Sequence, residues 1–111
     1  MGDIAAEKRQ LTIKTGVVRR LSKELWMYTV EAKEQDAKVQ QFIADNREAW
    51  EVRKQEEILK DCTQMVPDTK RRLSDAVVDL DAYLHGLDEA TKETDEYRSA
   101  VEALDKSKES P

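Results

Sequence analysis

A chain of 111 residues has room for one domain with a single core of modest depth, and three glycines and six aromatics (two Trp, three Tyr, one Phe) argue against a sheet protein with many tight turns. A charged fraction of 39% beside an apolar 39% describes helices that each bury one stripe and leave the rest in water. The formal net charge of −5 argues against a general nucleic-acid binder, no apolar run approaches membrane-spanning length, and the lone Cys62 excludes an intramolecular disulfide.

From Leu11, apolar residues recur at alternating steps of three and four through Val18, Leu21, Leu25, Tyr28, Ala32, Val39 and Phe42, with Lys14 and Gln35 as polar entries. That stepping predicts a first helix over about 4–44, roughly 60 Å long at ~1.5 Å per residue. Asp45-Asn46 breaks the pattern, and Asp45 with Glu48 has the capping-box spacing that opens a second helix, about 47–86. Its seam runs Val52, Leu59, Cys62, Val66, Leu73, Ala76, Leu80 and Tyr83, interrupted by Gln55 and Thr69. Pro67 lies in the middle, lacks an amide hydrogen and pushes against the carbonyl of Thr63. Because the seam keeps its phase across Pro67, the prediction is one bent central helix and not two. Cys62 on that seam reads as a small buried thiol.

The second helix is expected to end at His85-Gly86, with Gly86 as the left-handed terminal residue and His85 near the carbonyl end of the dipole. Asp88 then caps a third helix, about 88–106, whose seam is Ala90, Thr94, Tyr97, Val101 and Leu104. Short breaks between long helices force antiparallel neighbours, and heptad spacing gives a left-handed twist. The fold expected is therefore all-α, an elongated antiparallel left-handed three-helix bundle spanning 1–111 with its central helix bent at Pro67. Lys106 to Pro111 reads as a frayed polar tail. Met1-Gly2 suggests N-myristoylation, but Ala6 stands where that motif wants Ser or Thr, so the expectation is a soluble cytoplasmic protein.

Catalysis is not expected. The chain has one histidine, no glycine-rich phosphate loop and no Cys/His cluster at metal-ligand spacing, so neither cofactor nor metal is predicted. Carboxylate pairs such as Asp75 with Asp79 and Glu89 with Glu93 read as solvated helix faces.

A binding protein shows apolar surface away from its seam. With Leu11 as heptad position a, Ile13, Arg20 and Met27 fall at c, Gly16, Lys23 and Val30 at f, and Trp26 at b, all outward. Helix 1 thus carries an apolar row interleaved with base, and Gly16 costs that helix roughly 1 kcal/mol without a packing reason, as a partner's close backbone would explain. The plainer alternative is a slipped register. Trp50, also at f, either extends such a surface or covers the loop at Asp45. If helices 1 and 2 turn back at Asp45, Arg19, Arg20 and Lys23 lie level with Lys70, Arg71 and Arg72 as a basic belt. Residues 75–111 hold eleven acids against four bases, a net of −7, so the belt either faces solvent or is neutralised by Glu102 and Asp105.

The blocks Ile13-Lys14-Thr15-Gly16-Val17-Val18-Arg19-Arg20-Leu21, Met27-Tyr28, Lys54-Gln55-Glu56-Glu57-Ile58-Leu59 and Met65-Val66-Pro67-Asp68 with Arg71-Arg72-Leu73 resemble the tubulin-binding cofactor A family over most of residues 11 to 84. The resemblance implies a three-helix cofactor that acts without nucleotide or catalysis. It would take β-tubulin released from the cytosolic chaperonin and keep it competent for αβ-heterodimer assembly, alongside other tubulin-folding cofactors. That implies a cytoplasmic, cytoskeleton-associated protein, monomeric or weakly dimeric, with no nucleic-acid or membrane partner. The β-tubulin-binding residues expected are Ile13, Gly16, Arg20, Lys23, Trp26, Met27, Val30, Lys70, Arg71 and Arg72, with Pro67 and Gly86 structural. Trp50 stands where the family pattern suggests Tyr, and helix 3 matches only loosely around Glu96-Tyr97. The competing class is a structural module of spectrin-repeat or coiled-coil adaptor type, which would carry tryptophan on the seam.

Overall fold

The computed structural model describes residues 3–109. Gly2, on which the acylation reading rests, and Ser110 and Pro111 of the expected tail lie outside the described residues. The elements are α1 (Ile4–Ala44), α2 (Ala49–His85), a single 3-10 turn (Thr91–Glu93) and α3 (Asp95–Ser107), with no strand among the described residues. Asp3 caps α1, its Oδ1 accepting from the amides of Ala5 and Ala6 at 3.0 and 3.3 Å. Pro67 lies inside α2, which continues through it without a break.

The ends of the helices are built differently from the expectation, and each difference has a local cause. α1 closes in a Schellman motif: Asn46 takes the left-handed conformation at φ 54°, its amide donates to the Ile43 carbonyl at 3.1 Å, and the Arg47 amide donates to the Phe42 carbonyl at 3.1 Å. Asp45 is thereby kept at the end of α1, accepting from Gln41 Nε2 at 2.9 Å. The box at the start of α2 shifts by three residues, with the Glu51 carboxylate accepting from the Glu48 amide at 3.1 Å.

Gly86 is not left-handed. The last turn of α2 closes by a bond from the Gly86 amide to the Tyr83 carbonyl at 3.3 Å, and His85 Nδ1 donates to the Asp81 carbonyl at 2.7 Å. With those carbonyls met, no positive φ is needed. Asp88 does not open α3 either. Its Oδ1 accepts from the Ala90 amide at 2.9 Å to shape a turn, and Thr94 caps α3 by accepting from the Tyr97 amide at 3.3 Å. Past that end, Lys106 and Ser107 are helical and Lys108 is the C-cap.

By compactness the chain divides into two units. Among the described residues, one comprises 3–23 and 71–109; the other is Glu24–Lys70. The first is a three-helix unit. Its buried set joins Leu11, Thr15, Val18 and Leu21 of α1, Leu73, Leu80 and Leu84 of α2, Leu87 and Thr91 of the connection, and Ala100, Ala103 and Leu104 of α3. α3 buries two alanines where the sequence suggested Val101, which is 37% exposed. A helix lying in the groove between two others comes close along its centre line, and small side chains permit that approach. Two polar links fix the unit. Lys14 Nζ meets Asp79 at 2.7 Å and stands 5.4 Å from the Tyr83 ring centroid. The Glu7 carboxylate accepts from the fully buried Thr91 hydroxyl at 2.6 Å and from the Asp88 amide at 3.3 Å.

The second unit is a two-helix hairpin, and its seam is shallow. Only Val39 and Thr69 are buried, while Leu25, Tyr28, Ala32, Phe42, Val52, Leu59, Cys62 and Val66 are half-buried. Its register is set by Gln35, whose Nε2 donates to the backbone carbonyl and side-chain oxygen of Gln55, both at 3.0 Å. At the turn, the Arg47 guanidinium lies 4.4 Å from the Phe42 ring centroid and bonds the Glu51 carboxylate twice at 3.1 Å.

Candidate partner-binding surfaces

In the three-helix unit the outward positions of α1 are open as expected. Ile13 is 53% exposed, and Gly16, Arg20 and Lys23 are exposed. A methyl group added at Gly16 would meet nothing within 4 Å, so no contact within this unit requires glycine there. Gly16 lines a cleft with Thr12, Thr15 and Arg19 of α1 and Asp95, Glu96 and Ser99 of α3, and the buried Thr15 Oγ1 has no hydrogen-bond partner. Arg71 and Arg72 are exposed on α2, and Arg20, Arg71 and Arg72 each make an interaction of their own. Of the acids proposed to neutralise a belt, Glu102 pairs with Lys106 of its own helix at 3.5 Å, and Asp105 lines a second cleft with Val77, Val78, Asp81 and Leu84. Val78 is 65% exposed, the most exposed of the large apolar residues among those described. Seam counting passes over Val78 because it falls between Ala76 and Leu80; the doubled Val77-Val78 was the available signal.

In the hairpin, Trp26 is 50% and Met27 47% exposed, and Lys70 is exposed. Val30 departs from the expectation. It is half-buried although the seam keeps its phase as far as Val39, four heptads past Leu11; its neighbours one turn away on the same face, Trp26, Met27, Lys33 and Glu34, all carry longer side chains that shade a short valine. The missed apolar residues here are Ile43, Ile58 and Met65, 38–49% exposed; Trp50 is 58% exposed, and its indole N–H donates to Glu48 of the connection at 3.1 Å.

The hairpin's two sides differ in chemistry. One groove is walled by Thr29, Ala32, Lys33 and Asp36 of α1 and Leu59, Thr63, Val66 and Pro67 of α2, and is mostly apolar. The other side presents Glu31, Glu34, Gln35, Lys38 and Cys62. At the turn, hydrogen bonding to Arg47 holds the Glu51 carboxyl below the usual glutamate range and Glu51 in turn raises Arg47. Among the described residues no group of His, Cys, Asp and Glu is placed to hold a metal ion, and no helix is long and apolar enough to cross a membrane. The surfaces are suited to binding another polypeptide.

The family model for tubulin binding cofactor A matches residues 6–104. Human tubulin-specific chaperone A is 43% identical over 97 residues, covering 87% of this chain and 89% of the relative. The Schizosaccharomyces pombe tubulin-specific chaperone A is 34% identical over 101 residues, 91% of this chain and 83% of the relative. Among solved structures, human tubulin chaperone cofactor A superposes with a TM-score of 0.79 at 43% identity, covering 89% of this chain and 95% of the other. Tubulin folding cofactor A from Arabidopsis thaliana gives 0.85 at 31% identity, with 93% and 96% covered. These matches set aside the adaptor reading, and the family is not one of enzymes. The chain belongs to the tubulin binding cofactor A family.

Proposed function

We propose that this chain is a cytoplasmic tubulin-folding cofactor that captures β-tubulin released from the cytosolic chaperonin and holds it, with other tubulin-folding cofactors, for αβ-heterodimer assembly. The observation that carries the reading is open apolar surface on α1 within each unit: Ile13, 53% exposed, beside Gly16, a glycine no internal contact demands, in the three-helix unit, and Trp26 and Met27, 50% and 47% exposed, in the hairpin. Apolar side chains on a helix cost solvation unless a partner covers them, and aromatic and methionine side chains are what interfaces use as anchors. Arg20, Lys23, Lys70, Arg71 and Arg72 add positive charge for an acidic client, and exposed charges of this kind lose their pull as salt screens them over ~10 Å at 0.1 M. The chain acts as a monomer or weak dimer, by binding alone.

The test is capture of purified β-tubulin. Met27→Ala, at a 47% exposed position, is expected to leave the melting temperature nearly unchanged and to weaken capture by about 1 to 3 kcal/mol, and added salt should weaken it further. A chain that retains α-tubulin but not β-tubulin, or neither, would refute the proposal.

A further inference from the structure

The groove on the apolar side of the hairpin repeats, in heptad register, the faces on which α3 lies in the three-helix unit. Thr29 and Lys33 stand two heptads after Thr15 and Arg19, which line the α3 cleft; Thr63 and Pro67 stand two heptads before Val77 and Asp81, which do the same on α2. Residues seven apart share a helix face. Both long helices therefore present to this groove the sides that elsewhere receive a third helix, and in the hairpin no third helix of this chain is among the described elements.

The precedent also specifies what fits. α3 contributes a small apolar stripe, Ala100, Ala103 and Leu104, flanked by carboxylates, and Glu96 meets Lys8 of α1 at 3.5 Å. The hairpin groove has an apolar floor of Ala32, Leu59 and Val66, with lysines beside it and Asp36 as the one acid among its lining residues. Lys33 lines it, and Lys60 and Lys70 are exposed one heptad from Pro67 and Thr63 on the same faces of α2. Pro67 in the wall leaves the Thr63 carbonyl without its helical amide, an acceptor at the groove's edge. The opposite side sets two acids, Glu31 and Glu34, against one base, Lys38, and is the less suited to an acidic helix.

Resting on the proposed function, we infer that this groove seats an amphipathic, acid-flanked α-helix of the bound tubulin, packed on the hairpin as α3 packs on the other unit. The experiment measures capture of β-tubulin by the full chain carrying Lys33→Glu or Thr63→Glu, both at exposed positions where glutamate suits a helix, with Glu34→Lys on the opposite side as control. Each groove variant is expected to weaken capture about tenfold or more with helicity and melting temperature unchanged, and the control to have little effect. A photoreactive side chain at position 63 should crosslink to a helical, acid-bearing segment of β-tubulin. If the unmodified chain does not retain β-tubulin, the functional reading falls and this inference with it. If it does, and Lys33→Glu and Thr63→Glu retain it equally, or position 63 crosslinks only to a second copy of this chain, the groove assignment alone is overturned.

Discussion

The same two helices build both units, yet among the described residues twelve buried side chains belong to the three-helix unit and two, Val39 and Thr69, to the hairpin. The seams are alike in spacing; what differs is cover. Two helices side by side bury one line of contact, and a third turns that line into a core by closing the groove from above. Helix propensity does not separate the units, since α1 and α2 run through both. The hairpin relies instead on directional links, the Gln35–Gln55 pair and the Phe42–Arg47–Glu51 turn.

Core truncation should expose this contrast most strongly. Leu80→Ala, at a fully buried site, is expected to cost about 2–5 kcal/mol, and Leu59→Ala, half-buried in the hairpin, distinctly less. Denaturant melts of the two variants decide it; equal costs would mean the hairpin is as well covered as the other unit. Next in size is the buried link of the three-helix unit. Thr91→Val removes a 2.6 Å hydrogen bond to the Glu7 carboxylate and should cost about 1.5–3 kcal/mol, with Glu7→Gln milder because an acceptor oxygen remains.

Gly16→Ala sharpens the comparison in the other direction. Since a methyl there meets nothing, the variant should gain up to ~1 kcal/mol of stability and yet bind β-tubulin less well. A variant improved in both would show that the glycine is merely tolerated. The smallest effect lies at the turn. Glu51 has its carboxyl pKa lowered by Arg47, so its stabilisation is present above the ordinary glutamate pKa and is lost as pH falls through the lowered value. Melting curves recorded from pH 6 down to pH 2 should therefore show a small acid-side loss in the unmodified chain that Glu51→Gln lacks.

The long helices were legible because their signal is redundant: Leu11, Val18 and Leu21 each vote for the same phase, and Leu59, Val66, Leu73 and Leu80 hold theirs across Pro67. Ends were less legible, since a helix end rests on one or two hydrogen bonds and several residues compete for them. Asp88 and Thr94 are both good caps, and the backbone resolved the choice in favour of Thr94 only once the Thr91–Glu93 turn had formed. Asn46 takes the left-handed position because the Schellman bonds fall on it and the sequence has no glycine between Gly16 and Gly86. On the candidate surfaces, outwardness at Ile13, Gly16, Trp26 and Met27 followed from the heptad, whereas the exposure of Val30 did not, because a heptad does not count the longer side chains one turn away that shade a short one. The hairpin's apolar groove was not legible at all. It is defined by the third helix that is missing there, and a seam read one helix at a time does not reveal which stretch lacks a cover.

Cys62 is half-buried on the polar side of the hairpin and is the one sulfhydryl in the chain. Nature has thus placed a single chemical clock in the less covered unit. The ratio of its alkylation rate in denaturant to that in buffer gives a protection factor for the hairpin alone, with no mutation and no signal from the three-helix unit. Followed while a client is added, the same reaction reads whether occupancy quiets the hairpin's breathing, because a ligand held only by the closed form slows every opening by mass action.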